Sequence, residues 1–503
     1  MDIFCLLWPE NNQDNLANFN AMTFYKPILL AGIALFFLTS TSAYSFETSN
    51  RLSIAINKAV SKQCVNQGKT GISVVALPSG KEVYQRNGSL ALLPASVQKL
   101  ITTASALHYL GPNYRFKTEI LHTGLRKGGV IDGDLIIRGG GDPDLTPEKV
   151  WLIAEQIKRM GVDKVTGALV VDGTYFDSRT TAPSWKKNHT QRAYDARLGA
   201  LSVSFNTVAI YVYPGVENGV PAIVGLFPDS PYFKLVNKAK TALSGKVGVA
   251  ARRSVKKRKT VVTVTGVMRP GSKGKIIYLN INDPLRYAAV TFKEYLRRSG
   301  VVIKGGTKIA ATDKNATPIY THKSDPLAVI VRKLNKFSNN FVAEQIAKTI
   351  AAEKMGAPGS HEKALGLLRR FLTDSGIDVS EIILADASGL SRRNRISAKA
   401  ITSLLTAMNG RFDIGPDFLA ALGIMGVDGS VKKRMRLSPA RSRARAKTGS
   451  LSGLSALAGY VAGEKGSLFA FAIFLNNNKC DYKGADKIED EIVTSIYRYG
   501  EKE

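Results

Sequence analysis

The middle of the chain, from about residue 115 to about residue 310, differs in texture from the segments on either side. Its apolar residues fall into short stretches such as 208–213 and 261–267, and glycines interrupt them. Short runs of this kind are typical of β-strands, whereas the flanking segments contain longer stretches with helical spacing. With 503 residues, 44% of them hydrophobic, the chain is also too long for a single core. We therefore expect one or two β-containing domains inserted into another domain.

The flanking segments combine helices and strands. A β-hairpin is indicated where 71–77 and 81–84 surround the turn Pro78-Ser79-Gly80. The segment 94–110 has apolar residues three and four positions apart and stops at Gly111-Pro112, which predicts a buried helix. Further helices are predicted over 52–60, 326–335, 341–353, 362–374 and 485–497, and further strands over 454–461 and 468–475.

The first 45 residues are typical of an export signal. Residues 28–38 (ILLAGIALFFL) form an apolar run of eleven residues between Lys26 and the small residues that end in Ala43-Tyr44-Ser45. A retained membrane anchor is the alternative, but a spanning helix needs roughly 20 apolar residues. We expect residues 1–45 to be a signal peptide cleaved after Ser45, with translation starting at Met22.

The charge indicates an anionic partner. The chain has 70 Lys and Arg against 40 Asp and Glu, a net charge of +30. Export argues against nucleic acid, so we expect at most peripheral contact with a membrane or an anionic envelope polymer. The most basic run is predicted to be a solvated loop or to face such a polymer; it comprises Arg252, Arg253, Lys256, Lys257, Arg258 and Lys259.

Cysteine and histidine usage argues against metal chemistry. Beyond the signal peptide only Cys64 and Cys480 remain, too few for a four-cysteine zinc site. The five histidines are scattered and form no H-E-x-x-H motif. We expect no metal and no cofactor.

Serine is then the natural nucleophile, and no G-x-S-x-G motif is present. Ser96-Val97-Gln98-Lys99 places a hydroxyl and an amine on one helical face, where burial can lower the lysine pKa. Five other S-x-x-K matches occur. This one opens a strongly apolar helix, whose N-terminus favours an alkoxide-like transition state. A helix cap is the alternative interpretation of Ser96.

Two more short motifs follow in chain order. Ser338-Asn339-Asn340 supplies a serine for proton relay and an amide to hold a substrate amide. In Lys447-Thr448-Gly449 the lysine and threonine can bind a substrate carboxylate, and the N–H of Ser450 can face an oxyanion. The alternatives are a helix cap and a basic turn, and second copies occur at Ser204-Phe205-Asn206 and Lys69-Thr70-Gly71.

Together, S-x-x-K, S-x-N and K-T-G in this order match the signature of the penicillin-interacting serine enzymes. The chain resembles the class C low-molecular-mass penicillin-binding proteins, the D-alanyl-D-alanine carboxypeptidase/endopeptidase family, over nearly its whole length after the signal peptide. One departure is Ser430-Val431, where the family usually has Thr-Leu. The segments that carry the resemblance are PASVQKLITT, DGDLIIRGGGDPDL, VVDGTYFD, ALSVSFN, FSNNFVAEQI, DASGLSRRN and AKTGSLSGLSALAGYV.

The resemblance implies a fold of the α/β (α+β) class, the penicillin-binding/β-lactamase-like transpeptidase fold, in which helices flank an antiparallel sheet. Residues 46–116 and 311–503 would form this peptidase domain. Residues 117–310 would form a large β-rich insertion of one or two subdomains.

The implied activity is that of a periplasmic serine D-Ala-D-Ala carboxypeptidase, D,D-endopeptidase or both, acting on peptidoglycan and inhibited covalently by β-lactams. Ser96 would form the acyl-enzyme, with Lys99 as its base. A β-lactamase shares the three motifs but is disfavoured by the insertion, and a catalytically idle wall-binding protein is the other alternative. The implied catalytic residues are Ser96, Lys99, Ser338, Asn340 and Lys447, and the implied substrate-binding residues are Thr448, Gly449 and Ser450.

Two further expectations come from the resemblance. Asp172 and Phe176 lie in a segment similar to one that lines the family's active-site approach, so Asp172 is predicted to pair with the free amine of the stem peptide's third residue. An ordinary turn is the alternative. The family's first and last strands lie side by side, which would bring Cys64 and Cys480 close enough for a disulfide.

Overall fold

The computed structural model describes residues 50–185, 190–256 and 259–500. The α-helices of these residues are α1 (50–60), α2 (Lys99–Leu110), α3 (Pro147–Arg159), α4 (Pro284–Arg298), α5 (Leu327–Phe337), α6 (Asn340–Met355), α7 (His361–Asp374), α8 (Ala398–Asn409), α9 (Gly415–Ala421) and α10 (Tyr482–Tyr499). The strands are β1 (Thr70–Leu77), β2 (Glu82–Arg86), β3 (Lys117–His122), β4 (Leu125–Lys127), β5 (Val130–Asp132), β6 (Leu135–Gly139), β7 (Lys164–Val165), β8 (Leu169–Asp172), β9 (Thr207–Tyr213), β10 (Ile223–Phe227), β11 (Phe233–Thr241), β12 (Gly248–Lys256), β13 (Lys259–Met268), β14 (Lys275–Asn280), β15 (Val302–Ile303), β16 (Thr307–Ile309), β17 (Thr317–Lys323), β18 (Gly423–Ile424), β19 (Ala444–Leu451), β20 (Leu454–Ala462) and β21 (Leu468–Asn476).

The central sheet contains the most apolar strands of the chain. Nearly every residue of β1, β20 and β21 is buried, so helices must cover both faces of the sheet. The strand order is β18-β19-β20-β21-β1-β2, and all neighbours are antiparallel. The first and last long strands of the chain are therefore adjacent in the middle of this sheet.

Alternate residues of the central strands belong to two different cores. Ala458 and Ala472 face the core built with α2 and α5 to α9, whereas Leu457 and Ile473 face the core built with α1 and α10. This alternation follows from the two-residue period of a strand. The result is a layer of helices on each face of an antiparallel sheet.

The inserted region forms four further sheets. Their strand orders are β16-β8-β6-β3-β17, β15-β7-β5-β4, β10-β9-β14 and β11-β13-β12. The first two share a core with helices α3 and α4, and the two three-stranded sheets share another.

Besides its strands, the insertion contains α3 and α4, which the sequence pattern did not predict. Each of these two helices has a narrow apolar stripe among many charged residues, so its helical spacing was not recognised among the short strands around it. The basic run at 252–259 also differs from the expected loop, since its described residues belong to the hairpin of β12 and β13. Strand β17 pairs with β3, so the sheet β16-β8-β6-β3-β17 includes residues after 310, where the sequence pattern placed the end of the insertion.

Cys64 and Cys480 form a disulfide, with their Cα atoms 4.8 Å apart. The expected pairing is therefore confirmed. It joins the end of α1 to the segment between β21 and α10, as the antiparallel pairing of β1 with β21 allows.

The predicted signal peptide, its cleavage after Ser45 and the start at Met22 lie outside the described residues. None of the helices in the described part of the chain combines the length and apolar character needed to cross a membrane.

Candidate active site

Ser96 lies in a short 3₁₀ turn, Ala95–Gln98, that leads into α2. The α-helix itself begins at Lys99, slightly later than the sequence pattern predicts. Ala95, just before the serine, has a positive φ of 44°, a conformation that costs energy for a residue with a side chain. The turn is held against the core by buried Val97, while Ser96 remains partly exposed.

The amine of Lys99 lies beneath this turn and is fully buried. Its Nζ is 2.9 Å from Ser96 Oγ, 2.7 Å from Asn340 Oδ1 and 2.6 Å from the Ser388 carbonyl oxygen. A neutral amine has two N–H donors and one lone pair. The two carbonyl-type oxygens can take the donors, which leaves the lone pair for the Ser96 hydroxyl.

The charge on Lys99 is disfavoured by its surroundings. Burial lowers the pKa of Lys99 to about 7, although the carboxylates of Asp386 and Glu344 oppose this shift. A large share of the amine is therefore neutral near pH 7 and able to accept a proton.

A second buried lysine lies on the central sheet. Lys447, in β19, donates to Ser338 Oγ at 2.8 Å and to the Thr448 carbonyl at 2.7 Å. Burial, and then repulsion from Lys99, holds the pKa of Lys447 well below its usual range. Ser338 reaches it from the left-handed position (φ 56°) that ends α5.

Strand β19 runs very close, at Gly449, to the turn that contains Ser96. A Cβ placed on Gly449 would lie 2.7 Å from the Pro94 carbonyl oxygen and 3.1 Å from the Ser96 nitrogen. Beside it, Thr448 Oγ1 is 2.9 Å from Ser430 Oγ, and Ser450 is exposed. The K-T-G motif thus lies inside a strand, with the backbone of Gly449 beside Ser96.

Two buried carboxylates that sequence reasoning missed organise the floor of the site. Glu344 Oε1 accepts from the backbone N–H groups of Ala387 and Ser388 at 3.1 and 2.9 Å. Asp386 accepts from the Trp185 indole at 2.8 Å and from the Gly389 nitrogen at 2.7 Å. Both hold the loop whose Ser388 carbonyl contacts Lys99. A signal was available, since Glu344 is an acidic residue within the apolar α6 segment.

Asp172 and Phe176 take part in other contacts. Asp172 is buried and accepts four hydrogen bonds of 2.5 to 2.8 Å from the backbone nitrogens and hydroxyls of Thr174 and Thr312. A carboxylate has about four acceptor sites, so none is left for a substrate amine, and the turn interpretation fits this geometry. Phe176 is also buried, with Lys348 Nζ 5.0 Å from its ring centroid.

Comparison with known proteins gives the family. Residues 52–498 match the model of the D-Ala-D-Ala carboxypeptidase 3 (S13) family. The chain belongs to this family. It is 34% identical to the D-alanyl-D-alanine carboxypeptidase of Actinomadura sp. (strain R39) over 447 residues, which are 86% of this chain and 81% of that protein.

Solved structures agree with this S13 assignment in fold. Penicillin-binding protein 4 (dacB) from Haemophilus influenzae superposes with a TM-score of 0.76 at 24% identity, covering 88% of this chain and 99% of that one. The same protein complexed with a novel β-lactam superposes with a TM-score of 0.72, at the same identity and coverage. The predicted family, the penicillin-binding fold and the serine-type D-Ala-D-Ala carboxypeptidase activity are confirmed.

Proposed function

We propose that this S13 peptidase cleaves the D-Ala-D-Ala bond of peptidoglycan stem peptides through an ester on Ser96. The observation that carries the assignment is the 2.9 Å contact between Ser96 Oγ and the buried, easily neutralised Lys99 amine. Lys99 takes the Ser96 proton as Oγ bonds to the scissile carbonyl carbon. The backbone N–H groups of Ser96 and Ser450 stabilise the oxyanion.

The second lysine completes the reaction. When the carbon–nitrogen bond breaks, Ser338 and Lys447 relay the proton from Lys99 to the leaving amine. Water then attacks the ester, gives its proton to Lys99, and Ser96 recovers its own proton from that amine. Asn340 holds the acyl amide, and Thr448 binds the terminal carboxylate while Gly449 admits the substrate backbone.

Peptidoglycan in the periplasm is the proposed setting, and β-lactams are the proposed covalent inhibitors of Ser96. The β-lactam complex of the Haemophilus influenzae relative supports the second point. A β-lactam presents a strained amide to the same nucleophile, so acylation follows the first half of the peptidase reaction.

Digestion of purified peptidoglycan tests this function. Loss of terminal D-Ala from monomeric muropeptides identifies carboxypeptidase activity, and conversion of cross-linked dimers to monomers identifies endopeptidase activity. Labelling with a fluorescent penicillin separates the alternatives: a stable adduct supports the peptidase, rapid turnover a β-lactamase, and no adduct the idle wall-binding protein.

A further inference from the structure

One stretch of the insertion carries positive charge with no acidic residue to balance it. Between residues 230 and 282 there are thirteen Lys and Arg and no Asp or Glu. This stretch forms the sheet β11-β13-β12 and strand β14. The concentration of one sign of charge on a single subdomain indicates an anionic partner.

The sheet places these cations on one face. Leu235, Val249 and Val264 point into the core shared with the neighbouring sheet, so the residues that alternate with them point to solvent. The register sets Lys238 opposite Thr265 and Arg252 opposite Thr263 on this outer side. Six exposed cations lie there, which we call the basic face: Lys234, Lys238, Lys240, Arg252, Lys256 and Lys259.

The basic face is a two-dimensional array. Residues on one side of a strand are about 7 Å apart and neighbouring strands are about 5 Å apart, so the cations of β11 and β12 form rows about 10 Å apart. Side chains stand roughly perpendicular to a sheet. A plane of cations fits a plane of anions better than it fits a single linear polymer.

The loop between β11 and β12 adds apolar groups at one end of this sheet. Leu243 is 67% exposed and Val247 is 55% exposed, and Lys246 lies between them in sequence. Exposed aliphatic side chains beside lysines are typical of segments that rest at a lipid interface. Binding of a soluble polyanion would not require such exposed aliphatic side chains.

We propose that the basic face docks on a bilayer of anionic phospholipids, with Leu243 and Val247 entering the interface. This peripheral contact keeps the peptidase at a membrane surface. It is independent of the roles proposed for Ser96 and the two active-site lysines.

Co-sedimentation of the full chain with lipid vesicles tests the proposal. One set contains phosphatidylcholine alone and the other equal parts of phosphatidylcholine and phosphatidylglycerol. The added anionic lipid is expected to increase binding, and the increase is expected to vanish as salt is raised. Equal binding to the two sets would overturn the proposal.

Matched variants locate the contact. Changing Lys234, Lys238 and Lys240 to Gln is expected to lower binding to the anionic vesicles about 100-fold, at about five-fold per lysine. Changing the exposed Lys58, Lys69 and Lys483 to Gln removes the same charge from the peptidase domain and is expected to have little effect. Equal losses in both variants would overturn the proposal. Unchanged penicillin labelling shows that each variant is folded.

A last pair of measurements separates a bilayer from a polymer. Leu243→Ser combined with Val247→Ser is expected to weaken binding to anionic vesicles without changing the weak binding of soluble polyphosphate. Tight polyphosphate binding together with unchanged vesicle binding of this variant would overturn the bilayer as the partner.

Discussion

Gly449 packs against the backbone of Ser96 so closely that a Cβ on the glycine would lie 3.1 Å from the serine nitrogen. The strand that carries the K-T-G motif is thereby fixed against the turn that contains Ser96. This contact links two segments about 350 residues apart in the chain. It explains why glycine is required inside an otherwise well-filled strand.

The first prediction concerns this contact. Gly449→Ala should push the turn away from β19 and slow penicillin acylation about 100-fold, since a displacement of about 1 Å has effects of that size. Gly366→Ala is the control, because a Cβ there meets no atom within 4 Å and alanine favours the α7 helix. Equal acylation rates for the Gly449 variant and the unchanged protein would contradict the close packing.

A second prediction is a pH profile. Because only the neutral amine of Lys99 accepts the Ser96 proton, the acylation rate constant should rise with pH through the lysine pKa of about 7 and then level off. Glu344→Gln keeps an acceptor for the two backbone N–H groups but removes a negative charge that raises the Lys99 pKa. Its profile should move to lower pH. A midpoint that stays in place or rises would exclude Lys99 as the titrating base.

A third prediction is that Asp172 stabilises the fold and does not bind substrate. Asp172→Asn replaces one accepting oxygen with an NH2 group that cannot accept hydrogen bonds, so the free energy of unfolding should fall by about 1–3 kcal/mol. Thr312→Val, which removes one donor to the same carboxylate, should also destabilise. Both variants should cleave amine-bearing stem peptides and react with penicillin at normal rates. A selective loss of stem-peptide cleavage would restore a substrate-binding role for Asp172.

A fourth prediction follows from the disulfide. Cys64→Ser combined with Cys480→Ser removes a link between segments 416 residues apart, and the free energy of unfolding should fall by about 2–5 kcal/mol. Penicillin labelling of the folded variant should not change, because neither cysteine contacts the catalytic groups described above. Mass spectrometry of the denatured, non-reduced protein should find Cys64 and Cys480 joined; free thiols at both positions would contradict the bond.

Local patterns predicted the parts of this molecule that depend on neighbouring residues. The hairpin of β1 and β2, the helices α5 to α7 and the final helix all appear where periodicity placed them. The three motifs also identified Lys99, which contacts Ser96 and Asn340, and Lys447, which contacts Ser338. That these motifs meet depends on the strand order β19-β20-β21-β1. The family resemblance implied only that the first and last strands are neighbours, and spacing alone implied no strand order.

The roles of Glu344 and Asp172 depend on contacts that no local pattern encodes. Glu344 stands out in sequence as an acidic residue within an apolar helix, but its role is set only where α6 packs against the loop at 386–389. Asp172 looked available to a substrate because Thr312, which fills its second oxygen, is 140 residues further along the chain. In both cases the partner of a buried carboxylate decided its role, and that partner was distant in sequence.

Locating the penicillin adduct tests directly whether Ser96 is the nucleophile. Mass spectrometry of peptides from the labelled protein should find the adduct on the peptide that contains Ser96. It should be absent from Ser96→Ala and retained in Ser254→Ala, which alters another S-x-x-K match on an exposed strand. An unfolded variant is excluded by measuring thermal unfolding, which should change little because Ser96 is the N-cap residue of neither the 3₁₀ turn nor α2. Full labelling of folded Ser96→Ala would exclude Ser96 as the nucleophile.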